Sequence, residues 1–157
     1  MKLLKKITIL LCFLSLIAFV SCSAEDKSGV KEKDNTEEGN FYPPFGDYKD
    51  KKIGFSTSSG EDLGITEVYK VSENTTKIKG YAARSDGAAK RFDFDISKWK
   101  KTIKDGKDIK SEAIEIKDND NGYKDISIVY YYDSSTLEIT FKSNSGTDFL
   151  FKGTKQP

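Results

Sequence analysis

The stretch DISIVYYYDSSTLEITFK, residues 125–142, decides the fold class. Ile126, Ile128, Tyr130 and Tyr132 fall on one side of an extended chain. Asp125, Ser127, Val129 and Tyr131 fall on the other. After Asp133-Ser134 the pattern resumes, with Leu137, Ile139 and Phe141 alternating against Thr136, Glu138, Thr140 and Lys142. Period-two alternation of β-branched and aromatic residues around a polar turn is the mark of a half-buried antiparallel hairpin.

The same period extends outward in both directions. Phe92, Phe94 and Ile96 alternate with Arg91, Asp93 and Asp95, and weaker runs occur at 51–55, 63–71, 76–82, 109–117 and 147–152. Turn signals separate them: Ser59-Gly60, Glu73-Asn74, Asp86-Gly87, Asp105-Gly106, Asn121-Gly122, Asp133-Ser134 and Ser145-Gly146. About eight strands joined consecutively predict an all-β domain over 41–157, a small antiparallel up-and-down barrel or a two-sheet sandwich. The barrel is the better expectation, because closure removes sheet edges. Phe41-Tyr42-Pro43-Pro44-Phe45-Gly46 reads as an extended lead-in whose aromatics cap one end of the core.

One stretch carries a different period. Ser97 stands where an N-cap would, Trp99 and Ile103 are four apart, lysines crowd the last turn and Gly106 follows. These features predict a short helix or helical turn near 97–105.

The N-terminal region is not part of this domain. Lys2, Lys5 and Lys6 precede an apolar run from Ile7 to Val20, a charged n-region and an h-region too short for a permanent membrane span. The run ends in Phe19-Val20-Ser21-Cys22. With its upstream context this resembles the lipobox of bacterial lipoproteins, in the relaxed form seen in spirochaetes and similar organisms. The resemblance implies that 1–21 is a signal peptide and that Cys22 is acylated, with palmitate-type chains, as the first residue of the mature protein. It implies a membrane-anchored location in the cell envelope, the outer membrane or cell surface rather than the inner membrane. Residues 23–40 hold Val30 as their one large apolar side chain, so 22–40 is expected to be the lipidated cysteine and a disordered tether. Eighteen such residues reach roughly 23 Å root-mean-square.

Composition excludes most chemistries. The chain has 26 basic and 25 acidic residues, and its N-terminal 21 residues hold three of the lysines. A nucleic-acid partner, which asks for a strongly basic face, is not expected. Histidine is absent, which removes Ser-His-Asp triads, Cys-His pairs and imidazole bases. Cys12 leaves with the signal peptide and Cys22 is used by the lipid, so neither a disulfide framework nor the usual zinc site is expected. No phosphate-cradling glycine loop occurs. Ser-x-x-Lys at Ser97–Lys100 and again at Ser28–Lys31 is what chance gives in a chain rich in both residues. Asp118-Asn119-Asp120-Asn121-Gly122 has its glycine one position early for a calcium loop and Val129 where the bidentate glutamate belongs. The expectation is therefore no enzyme, no metal and no cofactor.

What remains is a surface. Lys98, Trp99, Lys100, Lys101 and Lys104 form the one concentrated candidate patch, suited either to anionic headgroups and acidic envelope polymers or to a solvated face around a core Trp. Tyr131 is the outward aromatic of its strand. The leading functional expectation is a non-enzymatic binding or interaction module anchored by lipid, with an unknown envelope or host protein as partner. Alternatives are a lipocalin-like carrier of a small apolar ligand and an inhibitor of a cell-wall hydrolase. The bulky inward set (Phe92, Phe94, Tyr130, Tyr132, Phe141, Phe149, Phe151) favours a filled barrel over a hollow one.

Overall fold

A computed structural model describes residues 34–157 except 55, 57 and 59. Among these residues the chain is all-β, with nine strands and no helix: β1 (Asn35–Gly39), β2 (Gly46–Lys49), β3 (Ile65–Ser72), β4 (Thr75–Ala83), β5 (Ala89–Lys104), β6 (Lys107–Asp118), β7 (Tyr123–Tyr131), β8 (Thr136–Ser143) and β9 (Asp148–Lys155). Strands β2 to β9 follow one another as an antiparallel meander. Pairing of β9 with β2 and of β5 with β6 closes them into an eight-stranded barrel. The expected barrel is therefore the observed architecture.

The hairpin that decides the class is β7–β8, with Ile128 opposite Ile139 and Tyr130 opposite Leu137. Those four side chains are buried, as are Phe92, Phe94 and Ile96 of β5 and Phe141, Phe149 and Phe151 of β8 and β9. Phe94 and Phe141 meet edge-on at 5.8 Å between ring centres, and Phe141 stacks on Phe149 at 5.4 Å. Tyr48 crosses Tyr130 at 6.2 Å and donates its hydroxyl to the Pro44 carbonyl at 2.8 Å. The middle of the barrel is filled by side chains, so its stability comes from aromatic burial at about 25 cal/mol per Å² of apolar surface.

The helix expected near 97–105 is not formed. Those residues belong to β5, a strand of 16 residues. Its first half pairs with β4 as far as Ile96, and its second half pairs with β1 from Trp99 to Ile103; β6 lies along its other edge. Register shifts between Ile96 and Lys98 and between Lys98 and Trp99 move the buried positions from Phe92, Phe94 and Ile96 to Trp99. The step from Ile96 to Trp99 is three residues, which interrupts the period of two. The glycine taken for a helix end is part of a two-residue hairpin, in which Asp105 (φ 52°) and Gly106 (φ 71°) both take the left-handed conformation. That is the geometry an Asp-Gly turn favours between Lys104 and Lys107.

The expected tether is shorter than 22–40, because residues 35–39 form β1. Four of the five residues are exposed, so apolar burial does not hold the strand. It is held by its backbone ladder on β5 and by ion pairs of Glu38 with Lys98 (2.6 Å) and of Glu37 with Lys101 (3.6 Å). The strand expected at 51–55 falls earlier, as β2, where Tyr48 is the side chain that enters the core; Ile53 is buried from a loop. In the lead-in, Phe41 and Tyr42 pack partly on the core, while Phe45 is exposed and stacks on Tyr42 at 4.8 Å.

Candidate functional site

An antiparallel meander sorts its connections between two ends. The β2–β3, β4–β5, β6–β7 and β8–β9 connections lie at one end, here the mouth. The β3–β4, β5–β6 and β7–β8 turns lie at the other. Strand β1 begins at Asn35, opposite Ile103 beside the β5–β6 turn, so the chain enters the barrel at the end away from the mouth.

A cleft of about 890 Å³, open to solvent, lies at the mouth. Its floor is Ile53, Ala83, Phe141, Phe149 and Leu150, and its rim includes Lys52, Arg84, Asp125, Lys142, Asp148 and Lys152. The cleft exists because the barrel wall changes partner here. Strand β2 pairs with β9 only at Tyr48–Lys155 and Lys49–Thr154, and β4 meets β9 only at Ala83–Leu150. The intervening Lys152 N–H is satisfied by a side chain: it donates to the Asp50 carboxylate at 2.8 Å. Asp50, 4% exposed, also accepts the Lys52 N–H at 2.8 Å.

The loop that carries Ile53 is pinned from several sides. Asp50 N–H donates to the Gly64 carbonyl at 2.8 Å, the Gly64 N–H donates to Asp62 at 2.9 Å, and Lys49 pairs with Asp62. A Cβ on Gly64 would stand 2.6 Å from the Ile53 carbonyl oxygen, so only glycine allows this close approach.

Most rim charges are engaged in ion pairs. Lys142 pairs with Asp125 at 3.0 Å and Lys152 with Glu138 at 2.8 Å. Arg84 pairs with Asp86, holding that carboxyl down at about 2 through its hydrogen bonds, with help from the Ala88 N–H. With charge locally balanced, the cleft presents an apolar floor on which Leu150 is 42% exposed. Such a surface suits apolar groups and does not concentrate one sign of charge.

A second, polar cleft of about 620 Å³ lies beside it, lined by Lys90, Arg91, Asp120, Gly122, Tyr123, Ser143, Asn144 and Ser145. Burial raises the Tyr123 hydroxyl to about 12, and that hydroxyl donates to the Arg91 carbonyl. The Asp118 carboxylate, part of the sequence that suggested a calcium loop, accepts the N–H groups of Asp120, Gly122 and Tyr123 at 3.0, 2.8 and 3.0 Å. It caps its own turn.

The lysine patch lies on β5 at the opposite end of the barrel. Trp99 is not on the surface: it is 1% exposed, and its indole N–H has no hydrogen-bond partner among the described residues. Lys98 is paired with Glu38, and Lys101 with Glu37 and Asp108 (3.2 Å) while lying 4.4 Å over the Phe41 ring. Lys100 and Lys104 flank them on the same hairpin. The acids of β1 thus interleave with these lysines. Cys22 lies outside the described residues. Asp50, Ile53 and Leu150 were not singled out by sequence; the one available signal is Phe149-Leu150-Phe151, where three apolar residues in a row force one of them outward.

Comparison with known protein families, with characterised proteins and with solved structures finds no match to this chain.

Proposed function

We propose that this chain is a lipid-anchored protein of the bacterial cell envelope, held through Cys22, and that its barrel is a non-enzymatic binding module whose working face is the Ile53–Leu150 cleft. One observation carries the reading: the chain enters the barrel opposite Ile103, at the end away from the cleft. An anchor upstream of Asn35 leaves the mouth facing away from the membrane. With β1 docked, residues 23–34 remain between Cys22 and the barrel, a reach of roughly 19 Å root-mean-square if they are flexible.

The partner fits the cleft as an apolar group, such as a hydrophobic side chain of an envelope or host protein, with the cell-wall hydrolase of the inhibitor reading as one such protein. A small apolar ligand is the second reading. It is favoured by the volume of the cleft, within the range of roughly 300–1,000 Å³ usual for small-molecule sites. The packed interior supports a ligand at the mouth rather than inside the barrel.

The test has two arms. Metabolic labelling with an alkyne fatty acid should tag the protein, and Cys22→Ala should abolish the tag; an unlabelled wild-type protein rejects the anchor. Anilinonaphthalene sulfonate fluorescence should rise on binding the folded protein and fall at least tenfold with Leu150→Glu. Equal signals from both proteins reject the cleft.

A further inference from the structure

We infer that the outer wall of the barrel, at the end away from the mouth, carries an aromatic patch that sits in the interfacial layer of a lipid bilayer. Strand β2 begins and β3 ends at that end. Phe45, just before β2, is 41% exposed and stacks on Tyr42 at 4.8 Å. One step beyond the Gly46–Val68 pair it stands beside Tyr69, and the two line one open cleft with Lys79. Val68 is buried in the core, so Tyr69, its neighbour along the strand, faces out. Val71, at the register shift that closes the β3–β4 ladder, is 53% exposed. Two of the five exposed large apolar side chains among the described residues thus fall together with two tyrosines.

The occupant follows from where the chain comes in, and this step rests on the Cys22 anchor proposed above. Strand β1 continues along the β5 edge that β4 leaves, and Asn40 donates to Asn74 of the β3–β4 turn at 3.2 Å. The incoming chain therefore passes beside the turn that follows Val71. Residues 23–34 separate the lipid from β1, so the patch is kept near the bilayer at high effective concentration. A contact too weak to recruit the barrel by itself is then enough to orient it. The surroundings suit headgroup depth, where aromatic rings and snorkelling lysines are at home. Lys79 lies 5.4 Å over the Tyr69 ring and pairs with Glu67 at 2.9 Å, and the Lys155 ammonium lies against Gly46. Exposed Lys70 is matched by exposed Asp47 and Glu73, so charge is near balance and the contact needs no anionic lipid.

The test uses the full chain, produced in a bacterium that acylates lipoproteins and mixed with phosphatidylcholine vesicles. Trp99 is the single tryptophan and is buried, so Phe45→Trp adds one indole at the surface. The fluorescence it adds should fall at least twofold when the phospholipid is brominated at the headgroup end of its acyl chains. Adding anionic phospholipid should leave that quenching unchanged. Leu150→Trp, at the mouth, should not be quenched. Val71→Ser in the Phe45→Trp background should reduce the quenching at least twofold and leave the β-type circular dichroism unchanged. Protein that floats with the vesicles while the indole at position 45 is unquenched overturns this inference alone. So does equal quenching from positions 45 and 150. Protein that does not float overturns both this inference and the anchor, and the fatty-acid label reports on the anchor separately. A dimer in detergent that Phe45→Ser dissociates, seen by light scattering, gives the patch to a second copy and overturns the inference.

Discussion

The Asp50 carboxylate accepts the backbone N–H of Lys152 at 2.8 Å, joining positions 102 residues apart. It does so where β9 has lost β2 as a neighbour and has not yet met β4. A side chain therefore completes the barrel wall at the floor of the mouth cleft, and the cleft and the closure of the barrel depend on the same residue.

Asp50→Ala leaves the N–H groups of Lys52 and Lys152 without their acceptor. Both bonds are part-buried and go to a charged acceptor, so a total loss of about 1–3 kcal/mol is expected from urea unfolding. Asp50→Asn keeps one acceptor oxygen and should lose about half as much. Equal stability of wild type and Asp50→Ala contradicts this role.

Trp99 sits in the core with its indole N–H unpaired. Trp99→Phe removes that unpaired donor but opens a small void, and the two effects offset, so a net change within about 1.5 kcal/mol is expected. Trp99→Ala should cost about 3–5 kcal/mol. Denaturant titration of both variants separates this core role from a surface role, in which both changes would be nearly neutral.

Gly106 holds a φ of 71° in the β5–β6 turn. Gly106→Ala places a Cβ in the left-handed conformation and should cost about 1–2 kcal/mol. Asp105→Asn should be neutral or slightly stabilising, because Asn tolerates that conformation best after glycine. Thermal melts of the two variants give the comparison directly.

Burial raises Tyr123 to about 12, and Tyr48, buried against Tyr130, is raised as well. Unfolded tyrosine ionises near 10, so the native state retains these protons where the unfolded state gives them up. Stability is therefore level below about pH 10 and falls as pH rises from 10 towards 12. Tyr123→Phe should blunt that fall. Tyrosinate absorbance during an alkaline titration should show late-ionising groups, one fewer in the variant.

The legibility of this fold divides along a physical line. Residues 125–142 could be read because a half-buried sheet writes its two faces into the sequence as alternation. Residues 97–105 could not, because the register shifts between Ile96 and Trp99 break the alternation of 92–96, and the four-residue spacing of Trp99 and Ile103 fits a helix as well as a strand. Strand β1 was invisible for a different reason. Asn35-Thr36-Glu37-Glu38-Gly39 has no apolar side to bury, and what holds it is backbone pairing and lysines sixty or more residues away. The cleft required tertiary knowledge of the same kind, since nothing local marks Asp50 as the acceptor for Lys152.

The proposed orientation of the barrel can be measured with protein carrying the proposed Cys22 lipid, in vesicles whose headgroups carry an energy-transfer acceptor. A donor dye is attached either at Lys107→Cys, beside the β5–β6 turn, or at Ser85→Cys, at the mouth. Transfer should be clearly stronger from position 107 than from position 85 under the proposed anchor, because the chain enters the barrel beside Ile103. Equal transfer from the two positions, or stronger transfer from position 85, would contradict a cleft displayed away from the membrane.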